Sequence, residues 1–167
     1  MSEETRKYVW SQINVNFVLN LILNGILAWL LNRSKDFIPV PDMIFDLTVT
    51  TILLVFIVSI LGGAGTSKAI KEGKLPQNAW QPGTGIMVRW SSMRNLGRSV
   101  LLAVFMTLVL IPVLYGVFSL LGVMSMPMMG YVIFKAFFAG LIAGIAAWLS
   151  NLGALGETSV NLDAAAA

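Results

Sequence analysis

One charge interrupts the stretch from Tyr131 to Ser150. Lys135 sits in roughly 20 residues of mostly apolar sequence, enough to cross a bilayer core as a helix. An ammonium in such a segment pairs with a carboxylate, reaches along its own stem to the headgroups, or binds an anionic solute. The carboxylates that could meet it are Asp42 and Asp46, spaced i, i+4 after Ile38-Pro39-Val40-Pro41. Asp46 lies shortly after Pro41 and Lys135 shortly after Pro127, so the two fall at comparable depth if both prolines mark turns on one side. The spacing therefore predicts a Lys135–Asp46 pair, with Asp42 as the N-cap of a helix opening at Met43.

The second polar constellation is a run of carboxamides. Asn16, Asn20 and Asn24 repeat every fourth residue, a stripe that Gln12 begins and Ala28 continues. Carboxamides facing acyl chains are costly. The stripe is therefore expected to hydrogen-bond to other helices or, alternatively, to line a path for a polar solute. Pro112, in the middle of an apolar run, predicts a kink that serves packing or acts as a hinge.

Several chemistries are excluded by composition. The chain has no cysteine and no histidine. That removes disulfides, thiolate metal sites, the commonest general base and the commonest zinc ligand. An enzyme would have to rely on Asp36, Asp42, Asp46, Lys135 and hydroxyls. Met124, Met126, Met128 and Met129 cluster around Pro127 as soft ligands for Cu(I), but read better as flexible apolar filler. Gly62-Gly63-Ala64-Gly65 lacks a phosphate-loop pattern and reads as a helix end. No enzyme activity, metal or cofactor is expected.

The elements that carry these residues belong to the membrane class. Of the 167 residues, 57% are hydrophobic and only 11% charged, with a mean hydropathy of +0.81. Four spans are expected, at 13–31, 46–64, 99–121 and 128–150. The segment from Thr66 to Arg98 is polar and basic, with breaks at Gly73, Pro76, Pro82, Gly83 and Gly85. Within it, 86–97 has an apolar arc of Ile86, Met87, Trp90 and Met93 between Arg89 and Arg94. This predicts an interfacial helix in which Arg89, Trp90, Arg94 and Arg98 meet anionic headgroups. No recognition module for nucleic acid accompanies the basic charge. Residues beyond Asn151 read as a weakly structured tail, and 164–167 as a cloning remnant.

The expected fold is therefore all-α. It is one integral membrane domain over 1–163, a bundle of four transmembrane helices plus an interfacial amphipathic helix. Helix, proline-bearing turn, helix, then the same again suggests two hairpins in tandem, with Pro41 matched to Pro127. The positive-inside rule puts both termini and the basic segment on the cytoplasmic side of an inner membrane. The expected function is non-enzymatic: a helix-packing partner, scaffold or accessory subunit, working with a membrane protein or as a homo-oligomer. The alternative is a small oligomeric transporter or channel for a polar or anionic solute, using the Asn stripe and Lys135.

Overall fold

The computed structural model describes residues 1–76, 79–83 and 85–166, with 158–166 described as backbone. Four long helices dominate it, each long and apolar enough to span a membrane. α1 is Glu3–Asn32, α2 Val40–Lys71, α4 Asn95–Leu120 and α5 Met128–Ala166. A short α3, Gly85–Ser92, precedes α4. The connections after α1 and α4 each contain three extended residues, β1 (Phe37–Pro39) and β2 (Ser125–Pro127).

Local chemistry sets the ends. Ser2 caps α1, its Oγ accepting from the Thr5 amide at 3.3 Å, and Glu3 and Glu4 favour the first turn. α2 opens three residues earlier than expected. Pro39, extended at φ −65° and ψ 148°, precedes Val40, and Pro41 occupies the first turn. Proline costs nothing there because those N–H groups have no helical acceptor. Asp42 is thus inside the helix and is not its N-cap. Nor does Gly62-Gly63-Ala64-Gly65 end α2, which continues to Lys71. The stop is Gly73 at φ +72°. Its amide donates to Ile70 O, and the Lys74 amide donates to Ala69 O, satisfying the last carbonyls. Gly122, at φ +65°, ends α4 in the same way through Ser119 O and Phe118 O. The expected weak tail after Asn151 is helical, as the last part of α5.

The strands were not expected. They pair antiparallel, Phe37 with Pro127, Ile38 with Met126 and Pro39 with Ser125. Two reciprocal bonds flank them: Val40 N to Met124 O and Met128 N to Asp36 O, each 3.0 Å. One constant offset in residue number carries Phe37 onto Ser125, Pro39 onto Pro127 and Val40 onto Met128. The proline that matches Pro127 is therefore Pro39, not Pro41. The same offset carries the buried face of α2 onto that of α5. Met43, Leu47, Thr51, Val55 and Ser59 match Tyr131, Lys135, Ala139, Ala143 and Ala147, all buried.

The halves do not close as two separate hairpins. α1 packs on α5, α5 on α2, and α2 on α4. Each outer helix thus crosses to the inner helix of the other half, because the extended strand carries the chain sideways before the next helix begins. The core between α2, α4 and α5 joins Leu54, Val55 and Val58 to Leu102, Ala103 and Met106 and to Ala139, Ala143, Ala146 and Ala147. Alanines at this seam let backbones approach closely, which is how helices gain van der Waals contact in lipid. Ile38, Val40, Met43, Phe118 and Tyr131 form a second core at the end that carries the ribbon. Val9, Ala69, Ile70, Leu75, Ala79 and Leu155 form a third at the other end.

Candidate functional site

The charged site lies within about two helical turns of the ribbon. Lys135 is 3% exposed and takes the α5 position that Leu47 fills in α2. Its Nζ donates to both oxygens of Asp46, at 2.7 Å to Oδ1 and 2.6 Å to Oδ2. Tyr131 OH donates to Asp46 Oδ2 as well. Tyr131 was not singled out as a site residue in the sequence. It precedes Lys135 by four residues, so both side chains leave α5 on one face. A carboxylate that accepts from an ammonium and a phenol offsets part of the cost of holding the ammonium in apolar surroundings.

A cavity of about 320 Å³ opens above this cluster, lined by Leu31, Asn32, Lys35, Asp42, Phe45, Asp46 and Tyr131. Lys35 and Asp42 pair at 3.5 Å on its half-exposed rim. The cavity is the mouth of a cleft between α1 and α2, which follow each other in sequence yet scarcely pack together. The side of α1 that faces this cleft follows from its seam with α5. That seam is close: a Cβ on Gly140 would lie 3.0 Å from Phe17 O, one on Gly144 3.5 Å from Ile13 Cγ2, and one on Gly25 3.2 Å from Ala136 Cβ. At 100° per residue, Asn20 and Asn24 fall with Leu31 on the flank of α1 toward α2, and Asn16 lies beside them. The opposite flank, with Trp10, faces an apolar cavity of about 390 Å³ against Leu141, Ile145 and Trp148 of α5.

The Asn stripe does not bond across helices as expected. Asn16 Nδ2 donates to Gln12 O at 2.9 Å, Asn20 to Asn16 O at 2.9 Å and Asn24 to Asn20 O at 3.1 Å. Asn32 repeats the pattern onto Ala28 O at 2.9 Å. A short side chain lying along its own helix reaches the carbonyl one turn back before it reaches a neighbour. Each carboxamide keeps its oxygen and one N–H unspent. Pro112 does not join this cleft. It is exposed on α4, which has no substantial packing against α1, and α4 runs unbroken through it.

The basic segment also differs from expectation. α3 ends at Ser92, and α4 begins at Asn95. Arg89 and Arg94 are exposed. Arg98 is not among the headgroup-facing residues: it is 2% exposed and tied inward. Its Nη1 donates to Gly153 O at 2.7 Å and to Ser91 O at 3.1 Å, and its Nη2 meets Glu157 at 2.8 Å. Trp90 is likewise turned to protein. It is half-buried against the central core, and a Cβ on Gly153 would lie 2.8 Å from its Nε1. The glycines of α5 explain both corrections, because only a bare backbone lets α3 and Arg98 come so near. Gly62 and Gly63 do the same in α2, where a Cβ on Gly63 would lie 2.2 Å from Asn95 Oδ1. Outside the spans, the Glu72 carboxylate 2.7 Å from Lys74 raises the pKa of that lysine.

What the site can do is limited by this geometry. Asp46 is the one member of the triad with substantial exposure, 31% at its side chain, while Lys135 is at 4%. A solute in the cavity meets Asp46, Asn32 and the Lys35–Asp42 pair, not the ammonium. Comparison with protein-family models, with curated proteins and with solved structures finds no match to this chain.

Proposed function

We propose that this is a non-enzymatic multi-pass membrane component that acts through its helix faces, as a packing partner, scaffold or accessory subunit. The observation that carries this reading is the unequal use of the helices. The centre, where α5 meets α2, is filled by small and apolar side chains, with Ala139, Ala143, Ala146 and Ala147 fully buried. α1 has only 6% of its apolar stretch buried and presents a polar stripe whose carboxamides each keep one N–H and the oxygen unspent. A helix with that surface is built to be covered by something. In the proposed orientation both termini and the basic segment are cytoplasmic, by the positive-inside rule, in an inner membrane. Arg89 and Arg94 then contact anionic headgroups on that side.

One observation favours the transport reading as the second. The Asn stripe shares its flank of α1 with Leu31, which lines the cavity that holds Asp46 and Asn32. If the cleft were closed by another helix, that line would be a polar route for a small solute. Flux of polar solutes from liposomes holding the purified protein separates the two readings. The packing reading expects no flux above that of empty liposomes, and recovery of a stoichiometric complex from native membranes. Flux that Asp46→Asn abolishes in a folded protein would replace it with transport.

A further inference from the structure

We infer that the α1–α2 cleft is an interface with a second copy of this chain, joined through Asn16, Asn20 and Asn24. The inference rests on the helix-face reading and names the face and its occupant. Each of these side chains gives one N–H to its own helix and keeps an acceptor oxygen and a second N–H. Three half-buried carboxamides one turn apart, left against acyl chains, carry a desolvation cost that no hydrogen bond among the described residues removes beyond one N–H each. A partner must therefore offer both donors and acceptors, at the same depths.

The stripe itself meets that requirement. A carboxamide is donor and acceptor at once, so the stripe is complementary to its own copy. Copies inserted in one orientation are related by a two-fold axis along the membrane normal, and a two-fold contact sets the same patch against itself. Asparagines of the two copies then meet at matching depths. The rest of the chain supplies an internal contrast. On the other outer helix, α4, the inner flank is Leu102, Ala103 and Met106, and it is buried in the chain's own core. α4 is already satisfied by α2, whereas the polar flank of α1 faces an open cleft. An acyl chain suits α4 and leaves the α1 stripe unpaired. A solvated slot would have to draw water into the bilayer core, which carboxamides paired with a second copy do without.

The test is energy transfer between donor- and acceptor-labelled copies in liposomes, over a series of protein-to-lipid ratios. The wild type should associate and dilute apart reversibly. The triple variant Asn16→Leu, Asn20→Leu, Asn24→Leu should weaken association. Interhelical polar contacts average about 0.6 kcal/mol, or roughly threefold each, so three multiply to roughly twentyfold. Val18→Ala with Ile22→Ala, on the other flank, should change association less than twofold. Helicity and thermal unfolding in detergent show whether each variant is folded. If the triple variant fails to fold, Asn20→Leu alone should give about threefold. Transfer at the level of random proximity in the wild type would overturn the inference. So would a folded triple variant that associates as well as the wild type, or a flank variant that weakens association as much. A stoichiometric complex with a different membrane protein, which excludes self-association, would overturn it too and leave the helix-face reading standing.

Discussion

Lys135 illustrates how one charged residue, at a register position that α2 fills with an apolar one, creates a site. Its counterpart in α2 is Leu47, fully buried in the same setting. A lysine there is tolerable because Asp46 and Tyr131 surround its ammonium side. Removing one member of such a pair leaves the other charge unmatched. Breaking a fully buried pair costs about 3–5 kcal/mol. Asp46 retains 31% exposure, so the loss here should be smaller, about 2–3 kcal/mol for Lys135→Met. Tyr131→Phe should lose about 1.5–3 kcal/mol, one hydrogen bond to a charged acceptor less. The decisive measurement is a charge-swap cycle read by unfolding in detergent. Asp46→Lys and Lys135→Asp each destabilise, and the double swap recovers much of the loss. Additive losses would mean that the pair contributes nothing as a pair.

At the scale of the element, glycines decide how near the helices come. Gly140 faces the backbone of α1, with Phe17 O 3.0 Å and Leu21 Cβ 3.2 Å from where its Cβ would be. Backbone cannot swing aside as a side chain can, so Gly140→Ala must push α1 from α5. Overpacking of this kind costs about 1–3 kcal/mol. Gly65 lies inside α2 with nothing within 4 Å of such a Cβ. There the gain in helix propensity is unopposed, and Gly65→Ala should stabilise by up to about 1 kcal/mol. Thermal unfolding of the two variants side by side checks both signs. Equal effects would mean that the α1–α5 seam adapts freely.

At the scale of the whole molecule, the ribbon sets the architecture. Because β1 and β2 pair with each other, both helix connections are fastened at one end. The outer helices are exchanged between the halves, and the termini lie at the end away from the ribbon. The proposed orientation follows from charge. The absence of natural cysteine makes it directly measurable. A cysteine at Lys71 should be shielded from an impermeant reagent in intact cells, and one at Ser34 should react. The reverse pattern would invert the molecule in the membrane and put the Asp46 cavity on the cytoplasmic face.

What the sequence determined by itself were the properties carried by local runs of residues. Hydropathy alone located the four helices long and apolar enough to span a membrane, because such a stretch is visible whatever its neighbours are. Helical spacing alone drew the Asn stripe, and distance from the proline-bearing turns placed Asp46 and Lys135 at comparable depth. The structure departs from the expected cap at Asp42 and the expected end at Gly62–Gly65 for a shared reason. A proline before a helix, or a glycine inside one, has two physical uses, and only the neighbouring chain selects between them. The strand pairing, the exchange of outer helices and the inward turn of Arg98 needed the tertiary structure. Each depends on residues far apart in sequence meeting in space: Ile38 with Met126, Phe17 with Gly140, Arg98 with Gly153 and Glu157. An arginine beside a basic loop reads as a headgroup ligand until a bare glycine backbone and a carboxylate from another helix are brought against it. Hydrophobic pattern fixes which faces are buried, but the partner of each face is chosen by fit, and fit has no local signature in the chain.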